Sequence, residues 1–178
     1  MEEIEAPVDH LHEHINEEAS HSHEKWMVWV ALSTAFLAVL AAIASLLANH
    51  HSEEAMICQI KSSDQWSFYQ AKSIKSLILL NSGKIIDAIG KVKDPADVQK
   101  IQENKLDQNK ILKKATTFAE ESSYHVAINT VFARSVTIFQ IAIAISAITI
   151  LTKRKFLWII SLGFTVLGIY FLIQGLLL

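Results

Sequence analysis

Five histidines, His10, His12, His14, His21 and His23, crowd the first two dozen residues. His-x-His spacing turns alternate imidazoles to one side of an extended chain, and His10 and His14 meet on one face of a helix. Imidazole nitrogens suit Zn²⁺, Cu²⁺ or Ni²⁺, so weak metal binding or pH sensing is the chemistry this tail can offer. The tail is also rich in glutamate and holds no His-Glu-x-x-His motif. A metal centre needs ligands fixed by neighbouring hydrogen bonds, which a solvated acidic tail does not supply. The simpler reading is a polar tail with incidental metal affinity, and no cofactor is expected.

A second stretch with chemical content is Asp64-Gln65-Trp66-Ser67-Phe68-Tyr69-Gln70-Ala71-Lys72-Ser73-Ile74-Lys75. On a helix, Gln65, Tyr69 and Lys72 share one face, and Asp64, Phe68, Ala71 and Lys75 another. Aromatics, amides and charges at this spacing form a polar layer that sets register between helices, or line a groove for a partner. Asp64, Gln65, Trp66, Tyr69, Gln70, Lys72 and Lys75 are therefore the interaction candidates. No nucleophile and base converge in the pattern, so no catalytic residue is assigned and the chain is not expected to be an enzyme. Cys58 is a lone cysteine, so it cannot close an intrachain disulfide, and a small buried apolar role suits it. No phosphate loop, nucleophile elbow or nucleic-acid signature occurs, and a net charge of −2 gives no reason to expect nucleic acid as a partner.

The elements that must position these residues are dominated by three uncharged apolar runs, Trp26–Ala48, Ser135–Thr152 and Phe156–Leu178. About 20 apolar residues rising ~1.5 Å each match a hydrocarbon core of ~30 Å. A backbone in lipid must satisfy its own hydrogen bonds, so each run is predicted to be a transmembrane helix. The first run is too long for a signal peptide and follows an acidic tail where a basic region would be required, so it is read as a retained anchor. Thr152-Lys153-Arg154-Lys155 is a short cationic loop. The positive-inside rule then puts the N-terminus in the cytoplasm, with Trp26 and Trp158 at the same interface. Gln140 and Ser146 are polar residues of the second run available to line a pore, whereas nothing ionisable lies near the middle of any span. Ala31/Ala35, Ala38/Ala42, Ala44/Ala48 and Ala142/Ser146 are small residues four apart, a spacing that lets membrane helices approach closely.

Residues 49–134 are predicted to be a helical hairpin with its tip near 90–95. In the first arm Ile57, Ile60, Ile74, Leu77, Ile78, Ile85 and Ile89 recur at helical spacing. Gly90 suits the residue after a helix end, and Asp94-Pro95 reads as an N-cap followed by proline at the first helical position. The return arm carries Val98, Ile101, Leu112, Ala115, Phe118, Ala119, Val126 and Val131. Each arm continues a span, with a bend or break expected near Asn49–Ser52 and another at Gly83. The resulting fold class is an all-α membrane protein, with a polar tail over 1–25, transmembrane helices over 26–48, 135–152 and 156–178, and a long antiparallel hairpin between the first two. Ser76–Leu80 with Ile85-Ile86 is apolar nearly all round, which one partner helix cannot cover, so homo-oligomerisation through the hairpin is expected.

Asp64-Gln65-Trp66, Tyr69-Gln70-Ala71-Lys72 and Ile74-Lys75, set after one span and ahead of two more, resemble a bacterial domain-of-unknown-function family of small membrane proteins. The likeness extends over nearly the whole chain. It implies a bacterial inner membrane and the three-span topology, and it supplies no activity. The expected function is a non-enzymatic membrane scaffold or interaction protein, in contact with lipid and with copies of itself or a different protein. An oligomeric channel lined by Gln140 and Ser146 is the alternative, and metal or pH sensing by the tail is a third.

Overall fold

The computed structural model describes residues 25–92 and 94–178. All regular structure among them is helical: α1 is Lys25–Ala88, α2 is Pro95–Thr152 and α3 is Lys155–Leu177. Each is long and apolar enough, by length and composition, to cross a membrane, which is the mark of a multi-pass membrane protein.

α1 runs for 64 residues without interruption. Neither Asn49–Ser52 nor Gly83 breaks the helix; both lie inside it. Polar side chains and a single glycine weaken a helix without removing a backbone hydrogen bond, so they do not end it. The stop is encoded just beyond Ala88. The Gly90 N–H donates to the Asp87 carbonyl at 3.0 Å and the Lys91 N–H to the Ile86 carbonyl at 3.1 Å. That pair of bonds requires a left-handed residue at Gly90, where φ is +73°. α2 then begins as its sequence dictates. Asp94 Oδ1 accepts from the Ala96 N–H at 2.9 Å, and Pro95 occupies the first helical position. Between α2 and α3 the chain reverses through Lys153, at φ +52°, and an extended Arg154.

Two compact units divide these helices: one takes residues up to Ser52 together with Ala127–Leu178, the other takes Glu53–Val126. The first unit holds the ends of α1 and α2 that carry the apolar runs, and all of α3. Its core includes Leu37, Ala44, Phe132, Phe139, Ile143 and Leu172. Small residues let the helices close on these rings. A methyl group placed on Gly168 would lie 2.6 Å from Phe139 Cε1, and one on Gly175 would lie 2.7 Å from Phe132 Cε1. Ser135 Oγ donates to the Gly168 carbonyl at 2.9 Å and Asn129 Nδ2 to the Ala48 carbonyl. Trp26 and Trp158 pack on a second cluster of Val30, Ala31, Ala147 and Ile150, and Trp158 Nε1 donates to Ser33 Oγ at 3.2 Å. Of the small-residue pairs, Ala44/Ala48 and Ala142/Ser146 are buried as pairs. Ala35 and Ala42 face outward, so Ala31/Ala35 and Ala38/Ala42 are split. Leu32, Phe36, Val39 and Leu46 are also exposed, an apolar surface suited to lipid.

Candidate interaction surface

In the second unit, α1 and α2 meet along an inner seam built from small and polar side chains. Ser62 Oγ donates to the Ala115 carbonyl at 2.9 Å, and Ser122 Oγ donates to the Ala55 carbonyl at 2.8 Å. Moving seven residues back on α1 moves the contact seven residues forward on α2, so these segments run antiparallel. Ala55, Cys58, Ser62, Ser76, Ala115 and Ser122 are all buried there. Cys58 Sγ lies 3.8 Å from Glu121 Oε2. Ser76 Oγ is buried and has no hydrogen-bond partner among the described residues.

The Asp64–Lys75 stretch straddles this seam. Gln65, Tyr69 and Lys72 are half-buried, whereas Asp64, Trp66, Gln70 and Lys75 are exposed. Lys72 Nζ donates to Asp107 Oδ2 at 2.8 Å. That hydrogen bond, the Lys72 charge behind it and the more distant Lys110 hold the Asp107 carboxyl below the usual carboxylate range. The Trp66 and Tyr69 rings meet edge to face at 5.6 Å between centroids. Lys72 and Lys75 also line a shallow groove with Ile78, Leu79, Lys100 and Asp107.

The apolar side chains that mark the first arm lie on the other side of α1. Ile57, Ile60, Ile74, Leu77, Ile78, Ile85 and Ile89 are all exposed, from 43% at Ile57 to 64% at Ile85. On α2, Ile101, Leu112, Ala115 and Phe118 turn inward, whereas Val98, Ala119 and Val126 are exposed. The packing face of α1 was therefore invisible to a search for apolar stripes. Its signal is a seven-residue recurrence of small residues, Ala55, Ser62, Ser76 and Gly83, in which Tyr69 is the bulky exception.

Gln140 and Ser146 do not share a surface. Gln140 is exposed on α2, while Ser146 is fully buried with its Oγ 2.7 Å from Ser161 Oγ. Ser161 donates to the Ala142 carbonyl at 2.8 Å, which leaves Ser146 as the donor within that pair. The histidines His10, His12, His14, His21 and His23 lie outside the described residues. Among the described residues no group of three or more His, Cys, Asp or Glu side chains is placed to hold a metal ion.

The family model "Domain of unknown function (DUF4337)" matches residues 26–178. No curated protein and no solved structure matches the chain.

Proposed function

The chain belongs to the DUF4337 family, and we propose that it is a non-enzymatic membrane scaffold that joins copies of itself through the α1–α2 hairpin. The observation that carries this reading is the outward face of α1 in the second unit. Its isoleucines lie beyond the apolar run that ends at Ala48, among Lys61, Asp64, Lys75 and Lys84, in a segment too charged to be a span. Contiguous exposed apolar surface outside lipid is the mark of an interaction site. The location that fits is the bacterial inner membrane. The Lys153-Arg154-Lys155 loop and the N-terminus would face the cytoplasm and the hairpin the opposite side.

Native mass spectrometry of the intact protein in a mild detergent tests the reading. A defined oligomer is expected, and Ile78→Asp or Ala71→Glu should return it to monomer by placing a charge on the exposed face. A monomeric wild-type protein would end it.

A second reading is favoured by Gln140, whose amide is exposed on α2 inside an apolar run. A polar group there is expensive in lipid and becomes acceptable along a water-filled path between copies. Ionic flux in liposomes that falls in Gln140→Leu would support a channel, and an absence of flux would remove it.

A further inference from the structure

Beyond the seam that packs on α2, the outward face of α1 carries a second repeat of three- and four-residue steps. Ala71, Ile74, Ile78, Asn81, Ile85 and Ala88 follow it without a break, and every one is exposed. Ile57 and Ile60 belong to the same register upstream, separated from it by Asp64 and Ser67. We propose that this stretch of α1 forms a parallel, in-register seam with the same stretch of a second copy, with Asn81 facing Asn81 across it. The inference rests on the self-association reading above and assigns it a face, a direction and a register.

Four observations select a second copy as the occupant. First, the steps alternate between three and four, so that Ala71, Ile78 and Ile85 recur every seven residues. That is the heptad of a helix supercoiled on another helix, rather than the 3.6-residue period of a helix lying on a flat lipid surface. Second, Asn81 sits at a seam position between Ile78 and Ile85. An amide both donates and accepts, so an identical chain in register brings its own partner to the same level. Third, the side chains at 74, 77, 78, 85 and 89 are each between 57% and 64% exposed. They form a contiguous apolar strip in a segment that also carries charge, the kind of exposed surface that marks a protein–protein contact. Fourth, flanking positions in a parallel pair bring Gln70 to Lys75 and Lys84 to Ile89 across copies, so no like charges are opposed. Asp64 would face Asp64, and that repulsion starts the close seam beyond Ser67. The outward face of α2 gives the contrast. Lys110, Lys113, Lys114 and Glu120 crowd it, as a solvated surface requires. The seam also leaves the buried face of α1 on α2, so both contacts form at once.

Single-cysteine crosslinking of the full chain in its membrane tests the proposal, in a Cys58→Ala background. Facing seam residues bring Cα atoms within the ~4.4–6.8 Å that a disulfide spans. Under mild oxidation Ile78→Cys and Ile85→Cys should form dimers more than about five times as readily as Ser73→Cys, which is exposed but off the seam. Asn81→Leu should keep the crosslink at Ile78→Cys while the native mass spreads to higher oligomers, because a buried asparagine restricts stoichiometry. Equal crosslinking at Ser73 and Ile78, or none at Ile78 in a protein whose native mass remains oligomeric, overturns the seam and leaves self-association standing. No crosslink together with a monomeric native mass overturns both and gives the face to lipid or to a different protein.

Discussion

The Phe139 ring fills the space that a side chain at residue 168 would need: a methyl group on Gly168 would meet Phe139 Cε1 at 2.6 Å and Cδ1 at 2.7 Å. Phe139 is completely buried, so its ring has no free volume into which to swing. The Ser135 hydroxyl, bonded to the Gly168 carbonyl, holds the two backbones at that separation. Gly168→Ala should therefore destabilise the first unit by about 1–3 kcal/mol through overpacking. Phe139→Leu should recover part of the loss in the double variant. Thermal unfolding in detergent, followed by circular dichroism across the four-variant cycle, measures the coupling. Additive single effects would mean that the ring does not set the helix separation.

Two serines on the inner seam of the second unit should respond with opposite signs to the same change. Ser62 Oγ donates to the Ala115 carbonyl at 2.9 Å, whereas Ser76 Oγ is buried with no partner among the described residues. Ser62→Ala removes a hydrogen bond worth about 0.5–1.5 kcal/mol. Ser76→Ala removes a desolvated hydroxyl that makes no bond, and alanine is also the better helix former, so stability should rise by up to ~1 kcal/mol. Helix propensity favours both substitutions equally, so the difference between the two melting shifts reports the Ser62 hydrogen bond together with the desolvation relieved at Ser76. Equal shifts would refute the distinction.

The helices and their ends were legible in the sequence because each rests on local chemistry. Gly90 supplies the left-handed residue, Asp94-Pro95 supplies the cap and the proline, and Lys153–Lys155 supplies the short turn. Which face of α1 would pack was not legible. Hydrophobicity nominates Ile57, Ile60, Ile74, Ile78 and Ile85, and all of them lie outward. The buried face instead follows backbone approach. Ala55, Ser62 and Ala115 are small enough for a serine hydroxyl on one helix to reach a carbonyl on the other. Such a seam has little apolar area and shows only as a recurrence every seven residues. The polar stretch Asn49–Ser52 does not break the helix, since it alters solvation without removing a backbone hydrogen bond. Spacing alone puts Gln65, Tyr69 and Lys72 on one helix face, whereas the Asp107 partner of Lys72 is 35 residues away and no local pattern points to it.

Acid should loosen the Lys72–Asp107 tether, and the sign follows from Asp107. Its folded pKa lies below the ordinary value of 3.8 because Lys72 donates to the carboxylate. A group depressed in this way contributes its stability above the unfolded pKa and loses it as pH falls through the folded pKa. The contribution should therefore be fully present at neutral pH and vanish only below pH 3.8. The pair is about one-third to two-fifths exposed, so its effect is small and screened by salt. Asp107→Asn should lower the melting temperature slightly at pH 7 in low salt and leave it unchanged in strong acid. A loss of the same size at both pH values would show that Asp107 acts by packing rather than by charge.

Gly90 offers a test of the turn between α1 and α2 that is free of packing effects. Its φ is +73°, and a methyl group added there meets no atom within 4 Å. Any penalty for a side chain is therefore conformational, about 1–2 kcal/mol for the left-handed region. Gly90→Ala should show that loss, Gly90→Asn a smaller one because asparagine tolerates this region, and Gly90→Val the largest because it is β-branched. Hydrogen exchange should quicken first at the Gly90 and Lys91 amides, which donate to Asp87 and Ile86, and only later at Ser62 and Ala115. The ranking Asn, Ala, Val in unfolding temperature is the measurement to make. If all three variants melt with the wild type, the two hydrogen bonds at the end of α1 do not contribute to the stability of this unit.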